Sequence, residues 1–198
     1  MINLQEDLAQ ISIYSKLVSH SGPCLVDSSG NVLGYSQMKD IVLTFGNQLS
    51  NMEIASNSVF GIVLPNGINM AKCFLSLANY VIAAPLNPNY TEEEFIFYLR
   101  DLECKYVVTD ETASNNLKNA AKKTNTKLIF IETGDGDTSL KLKSIDTKKN
   151  ISNKPKLNND QCLILHTSGT TSKPKQVQLS SKNILSSASN IANILALS

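Results

Sequence analysis

Tryptophan is absent from the 198 residues, and arginine nearly so: of the 18 basic side chains, Arg100 is the one arginine. With 17 acidic side chains the net charge is +1, so bulk attraction to nucleic acid or to an anionic membrane is not available. Bidentate contacts to phosphates or bases have a single candidate. Long hydrophobic runs are missing too; each breaks well short of the roughly 20 residues that a membrane span requires. The opening segment, MINLQEDLAQ, has no basic cluster and lacks the pattern of a signal or transit peptide. The expectations are a cytoplasmic location, no nucleic acid and no membrane. Four cysteines (Cys24, Cys73, Cys104, Cys162) form no C-x-x-C, and two histidines (His20, His166) make no matching pair. A zinc centre is therefore not indicated, and the thiols are expected to be reduced, half-buried and structural. Whether any residue binds another metal stays open.

The composition itself, 42% hydrophobic and 18% charged, is that of a globular domain able to bury a core. Leu4, Leu8, Ile11, Tyr14 and Val18 recur at helical spacing and predict a helix over about 3–19. Two short apolar runs, 24–28 and 32–35, flank Ser29-Gly30-Asn31 and predict a β-hairpin. Ser36 is a candidate cap for a helix burying Met38, Ile41, Val42, Phe45 and Leu49. The β-branched run 58–64 ends at Pro65-Asn66-Gly67 and reads as a buried strand. A helix with Ile68, Ala71, Leu75, Ala78 and Ile82 on one face follows, then a short strand over 83–86. Thr91-Glu92-Glu93-Glu94 is a capping box opening a helix that buries Phe95, Tyr98, Leu99 and Leu102. Strands at 105–109 and 127–132 flank a polar helix near 112–124.

This alternation predicts an α/β fold, a layered and mostly parallel sheet flanked by helices. Three parts are expected: an N-terminal α/β subdomain over 1–132, a polar connector over 133–160, and a strand–loop–strand–helix unit over 161–198. The connector is lysine-rich from Lys141 to Lys156, but no aromatics are interleaved and acids lie nearby, so it reads as a solvated surface. In the last unit the helix from about Ser181 is expected to bury Ile184, Leu185, Ala188, Ile191 and Leu195.

Chemistry concentrates after the apolar run 161–166. Thr167-Ser168-Gly169-Thr170-Thr171-Ser172-Lys173-Pro174-Lys175 holds five hydroxyls, one glycine and two lysines in nine residues. Phosphate oxygens need several donors converging from one side, which backbone amides and short hydroxyls supply at little entropic cost. Gly169 permits close backbone approach, Lys173 and Lys175 add point charges, and Pro174 stiffens the stretch between them. The spacing is not that of a Walker A loop. The predicted geometry is a hairpin-like loop over 167–175 between strands 161–166 and 177–179.

HTSGTTSKPKQVQLSSKN resembles the phosphate-loop signature of the AMP-forming acyl-CoA synthetases, within the adenylate-forming ligase superfamily shared with firefly luciferase and peptide-synthetase adenylation domains. Thr167 to Thr171, Lys173 to Lys175, Val177, Leu179, Ser180 and Asn183 match that pattern. Ser172 and Gln176 stand where glycines are usual, and Ser181 where histidine is usual; Gln176 has no explanation in the sequence. The upstream run VFGIVLPNGINMAKCFLSLANYVIAAPLNPNYTEEEFIFYLRDLECKYVVTD is also similar to the family's N-terminal region. Ser172, His166 and AAPLNPNYTEEEFIFYL are similar to the oxalyl-CoA synthetase branch.

The resemblance implies ATP, Mg2+ and coenzyme A as cofactors and a small carboxylic acid as substrate. The carboxylate and ATP would give an acyl-adenylate and pyrophosphate, and the coenzyme A thiol would then form a thioester. Thr167, Ser168, Gly169, Thr170, Thr171, Ser172, Lys173 and Lys175 would bind the departing phosphates. No catalytic residue is assigned, since a carboxylate is already a nucleophile. Family members are far longer; their adenine, ribose and acyl sites and their mobile C-terminal domain have no counterpart among these residues. An N-terminal fragment, inactive alone, is the expectation. The alternative is a non-catalytic nucleotide- or protein-binding module that keeps the fold. An open apolar sheet edge would also allow a homodimer.

Overall fold

Phe60, Ile62 and Leu64 point to one face of the central strand and Val63 to the other, so helices must cover both sides. The computed structural model describes residues 12–133, 139–143, 161–167 and 174–196. In order they form α1 (Ile13–Ser19), β1 (Pro23–Val26), β2 (Val32–Gly34), α2 (Tyr35–Asn51), β3 (Val59–Val63) and α3 (Ile68–Leu77). Next come β4 (Ile82–Pro85), α4 (Glu92–Asp101), β5 (Tyr106–Thr109), α5 (Asn115–Thr124) and β6 (Lys127–Thr133). The last elements are β7 (Leu140–Leu142), β8 (Gln161–Thr167), β9 (Lys175–Ser180) and α6 (Ser181–Ile194).

β1 and β2 make the expected antiparallel hairpin. The other strands form one sheet in the order β7-β6-β5-β3-β4-β8-β9. β6, β5, β3, β4 and β8 are parallel, while the outer strands β7 and β9 run antiparallel to their neighbours. The α/β class and the mostly parallel sheet are therefore as expected. One face is packed by α1, α2 and α3, where Met38, Ile41, Val42, Phe45 and Leu49 meet Phe60 and Ile62. The other is packed by α4 and α5, where Phe95, Leu99, Leu117 and Ala120 meet Val63, Ile82, Ala84 and Val107. Each such large side chain, fully buried, contributes roughly 1.5–3 kcal/mol of transfer free energy.

Several expectations need correction. The part of the opening helix before residue 12 lies outside the described residues. α2 is capped at Gly34 rather than Ser36: β2 runs straight into the helix, and the Gln37 side chain accepts the Gly34 N–H at 2.8 Å. α3 buries Lys72, Cys73, Ser76 and Leu77 most deeply; of the expected stripe Ala78 is buried at its C-cap, Ile68 and Leu75 are only partly buried against the core, and Ile82 belongs to β4. The Lys72 ammonium reaches the Asn69 carboxamide oxygen at 3.3 Å, which keeps a cation tolerable on that buried face. Within 133–160, Leu140–Leu142 forms an edge strand with both leucines buried around exposed Lys141. Three of the four free cysteines are buried, and only Cys24 is half-buried. β9 begins at Lys175, two residues before the expected strand.

The largest departure is α6. Ser181 is its one buried residue, and Ile191, Ile194 and Leu195 are exposed, Ile194 by 82%. The helical spacing of its apolar residues makes it amphipathic; it packs chiefly against β8 and β9, and Ile184 is partly buried against the core.

Candidate functional site

β8 lies beside β4 at Ala83↔Leu163 and carries Cys162, Leu163 and Ile164 into the core. That buried inner half fixes where its outgoing end emerges. β9 returns alongside, pairing Leu165↔Val177, His166↔Gln176 and Thr167↔Lys175. Thr167 and Lys175 thus close the ladder as a cross-strand pair, with the Thr167 hydroxyl 3.4 Å from the Lys175 carbonyl oxygen. Of the eight candidate phosphate-binding residues these two are described, and Lys175 is exposed at the hairpin's outer end. Ser168, Gly169, Thr170, Thr171, Ser172 and Lys173 lie outside the described residues.

The outgoing half of this hairpin meets the last turn of α4. His166 Nε2 is 3.0 Å from the Asp101 carboxylate, and its imidazole is only 7% exposed. Facing an acceptor-only carboxylate, Nε2 carries the hydrogen. Gln176 Nε2 donates to the Asp101 carbonyl oxygen at 2.7 Å and to its carboxylate at 2.9 Å. Both of those partners are oxygens, so the network itself orients the carboxamide. The Tyr98 ring meets the His166 ring edge-on with centroids 4.7 Å apart, and Tyr90 stacks on Tyr98 at 4.7 Å. Burial, followed by the Tyr98 hydroxyl and the nearby Glu94 charge, pushes the Tyr90 phenol up to about 12.

The end of the hairpin is built locally. Ser180 is the N-cap of α6: its hydroxyl accepts the Asn183 N–H at 3.2 Å, and Asn183 Oδ1 accepts the Ser180 N–H at 2.9 Å. Ser180 and Asn183, two of the signature positions, are thus a capping box that fixes how the chain turns from strand into helix. Ser181, which stands where the resemblance expects histidine, is buried and hydrogen-bonds the Cys162 thiol. Sequence reasoning missed Asp101 altogether. Its partners lie 65 and 75 residues away, and no local spacing marks it.

A second concavity of about 700 Å3 opens at the carboxyl ends of β3, β4 and β5, between Leu64–Asn66, Leu86–Asn89 and Thr112–Ser114. β3 leaves through α3 on one face and β5 through α5 on the other, so the crevice sits at a topological switch point, where open α/β sheets hold ligands.

Residues 18–197 match the AMP-binding enzyme family, and the chain belongs to it. It is similar to a probable CoA ligase of Humulus lupulus (CCL9), 34% identical over 174 residues, covering 84% of this chain and 33% of that protein. It is also similar to the oxalate–CoA ligase of Arabidopsis thaliana, 32% identical over 170 residues, covering 83% of this chain and 33% of that one. The chain therefore spans about a third of the length of the curated relatives it matches. Among solved structures, ATP-bound MatB from Rhodopseudomonas palustris shares the fold with a TM-score of 0.70 at 18% identity, over 92% of this chain and 37% of that one.

Proposed function

We propose that this chain is the N-terminal, phosphate-binding portion of an ATP-dependent, AMP-forming acid–CoA ligase. The reaction joins a small carboxylic acid to ATP, releasing pyrophosphate, and then passes the acyl group from AMP to the thiol of coenzyme A. The observation that carries the reading is the β8–β9 hairpin, buried at Cys162–Ile164, whose last cross-strand pair, Thr167 and Lys175, brackets the hydroxyl- and lysine-rich segment. The oxalate–CoA ligase relative favours oxalate, a small dicarboxylate, as the acid.

Within this reading Thr167, Ser168, Gly169, Thr170, Thr171 and Ser172 offer hydroxyl and backbone donors to the β- and γ-phosphates, and Lys173 and Lys175 offer charge. Charge on those phosphates grows as the bond to the α-phosphorus breaks, so donors aimed there lower the barrier more than they tighten ground-state binding. The attacking carboxylate needs no general base. Magnesium, which prefers carboxylate and phosphate oxygens, enters on this reading as part of the MgATP substrate.

The same reading holds that the 198-residue chain alone does not turn over, because it spans only about a third of its relatives' length. It places the protein in the cytosol, in keeping with four unpaired thiols. It also allows two copies to pair along the β9 edge, open among the described residues, where Val177 is exposed, a point that sedimentation velocity checks. The function is tested by pyrophosphate release with oxalate and other small acids, on the 198-residue chain and on the full product of its gene. Release by the full product with oxalate supports the reading; release by neither with any acid overturns it.

A further inference from the structure

We propose that Asp101 is a positioning residue that holds the outer end of the β8–β9 hairpin. Its carboxylate and main-chain carbonyl grip the cross-strand pair His166 and Gln176, one step inside the Thr167/Lys175 pair. The consequence for phosphate binding rests on the function proposed above; the anchoring itself does not.

Among the described residues β9 is the last strand of the sheet and pairs on one side only, and the end of a two-stranded ribbon is free to twist and fray. A lateral grip from a third element removes that freedom, and here both strands are gripped by the same residue. α4 is a firm support: Thr91 and Glu94 cap its start, and Phe95 and Leu99 bury it against the sheet. Tyr98, one turn before Asp101 on α4, walls the imidazole from the side. The position of the acid also needs an explanation. Asp101 is the last residue of α4, where the helix dipole opposes a carboxylate, and donors from His166 and Gln176 offset that cost. Gln176, which the sequence left without a role, is on this account the half of the grip that belongs to β9.

Amide hydrogen exchange on the ligand-free chain tests the anchor. Asp101→Ala and Gln176→Ala are each expected to speed exchange at residues 165–167 and 175–177 about tenfold, the equivalent of one charge-assisted hydrogen bond. Exchange in β3 should not change. The double variant should exceed the larger single effect only slightly, and Asp101→Asn, which keeps an oxygen toward Gln176, should restore most of the protection. Equal exchange at the hairpin end in wild type and both alanine variants overturns the inference, as does loss spread evenly through β3. Titration with pyrophosphate is a separate arm. A wild-type response that weakens severalfold in Asp101→Ala supports positioning for the ligand, and an unchanged affinity beside faster exchange overturns that part. Absence of any wild-type response counts against the phosphate reading and leaves the exchange result to decide the anchor.

Discussion

Gln48 and Leu142 lie 94 residues apart and exchange two hydrogen bonds in the interior. The carboxamide nitrogen donates to the Leu142 carbonyl at 2.8 Å, and the Leu142 N–H donates to the carboxamide oxygen at 2.9 Å. A side chain of α2 therefore acts as one more strand partner for β7, tying the sheet's far edge to the helical layer. Gln48→Met keeps the volume but leaves both backbone groups of Leu142 without those partners. The expected loss is about 2–4 kcal/mol, measured by urea denaturation. A loss below about 0.5 kcal/mol would mean that the pair contributes nothing net.

Gly61 sits where β3 presses against β5. A Cβ there would fall 2.9 Å from a Val107 methyl and 3.4 Å from the Cys104 sulfur. Gly61→Ala should cost about 1–3 kcal/mol by overpacking. Adding Val107→Ala should recover part of it, since the second change removes the clashing methyl. Additive losses in the double variant would place the strain elsewhere.

The thiols differ in access and acidity. Burial pushes Cys104 up to about 11, Cys73 higher still, and raises Cys24 and Cys162 as well. Cys104 also donates to the Tyr106 carbonyl at 2.9 Å. Since the thiolate is the reactive form, a disulfide reagent near neutral pH should label Cys24 first and reach the other three only on unfolding. Rapid labelling of Cys73 in the native chain would contradict the packing of α3.

Acid should weaken the fold through named carboxylates. Asp27 is held below the usual range by the Asn31 side chain and backbone, Glu92 by Lys123 and Asn119, and Glu94 by the Thr91 amide and hydroxyl. A carboxylate whose folded pKa is depressed contributes stability that is present above its unfolded value and lost as pH falls through the lowered one. The urea midpoint should therefore be flat on the neutral side and decline below the ordinary carboxylate range. Thr91→Ala removes a cap worth about 1 kcal/mol and should move the Glu94 titration, followed by NMR, back toward its ordinary value. The residue-91 amide remains as a donor in this variant, so an unmoved Glu94 would rule out the Thr91 hydroxyl as a contributor.

Where the determinants are local, the sequence already shows the structure. The Thr91–Glu94 box, the hairpin around Gly30 and the buried stripe of α2 each follow from residues within a turn or two. β7 is not read from the sequence: the alternation Leu140-Lys141-Leu142 is too short to stand out among the surrounding lysines and polar residues of the expected connector. α3 misleads because apolar residues lie on most of its sides, so their spacing does not single out the buried face, which also carries Lys72 and Ser76. In α6 the spacing reveals an apolar stripe without revealing whether anything covers it. The phosphate-binding segment stands out by composition, but Asp101 does not, because what holds a hairpin from outside is set by tertiary proximity alone.

The central claim is that the segment between Thr167 and Lys175 binds the phosphates that leave as pyrophosphate. Three to five charge-assisted contacts would each contribute about 1.5–3 kcal/mol if sheltered; without that shelter, and against solvent screening and the cost of association, binding is of about millimolar strength at best. NMR titration of the purified 198-residue chain with magnesium pyrophosphate measures it directly. The account predicts saturable shifts at Thr167 and Lys175 in the millimolar range, abolished by Lys173→Ala together with Lys175→Ala. Shifts that are absent, or that survive the loss of both lysines, would contradict it.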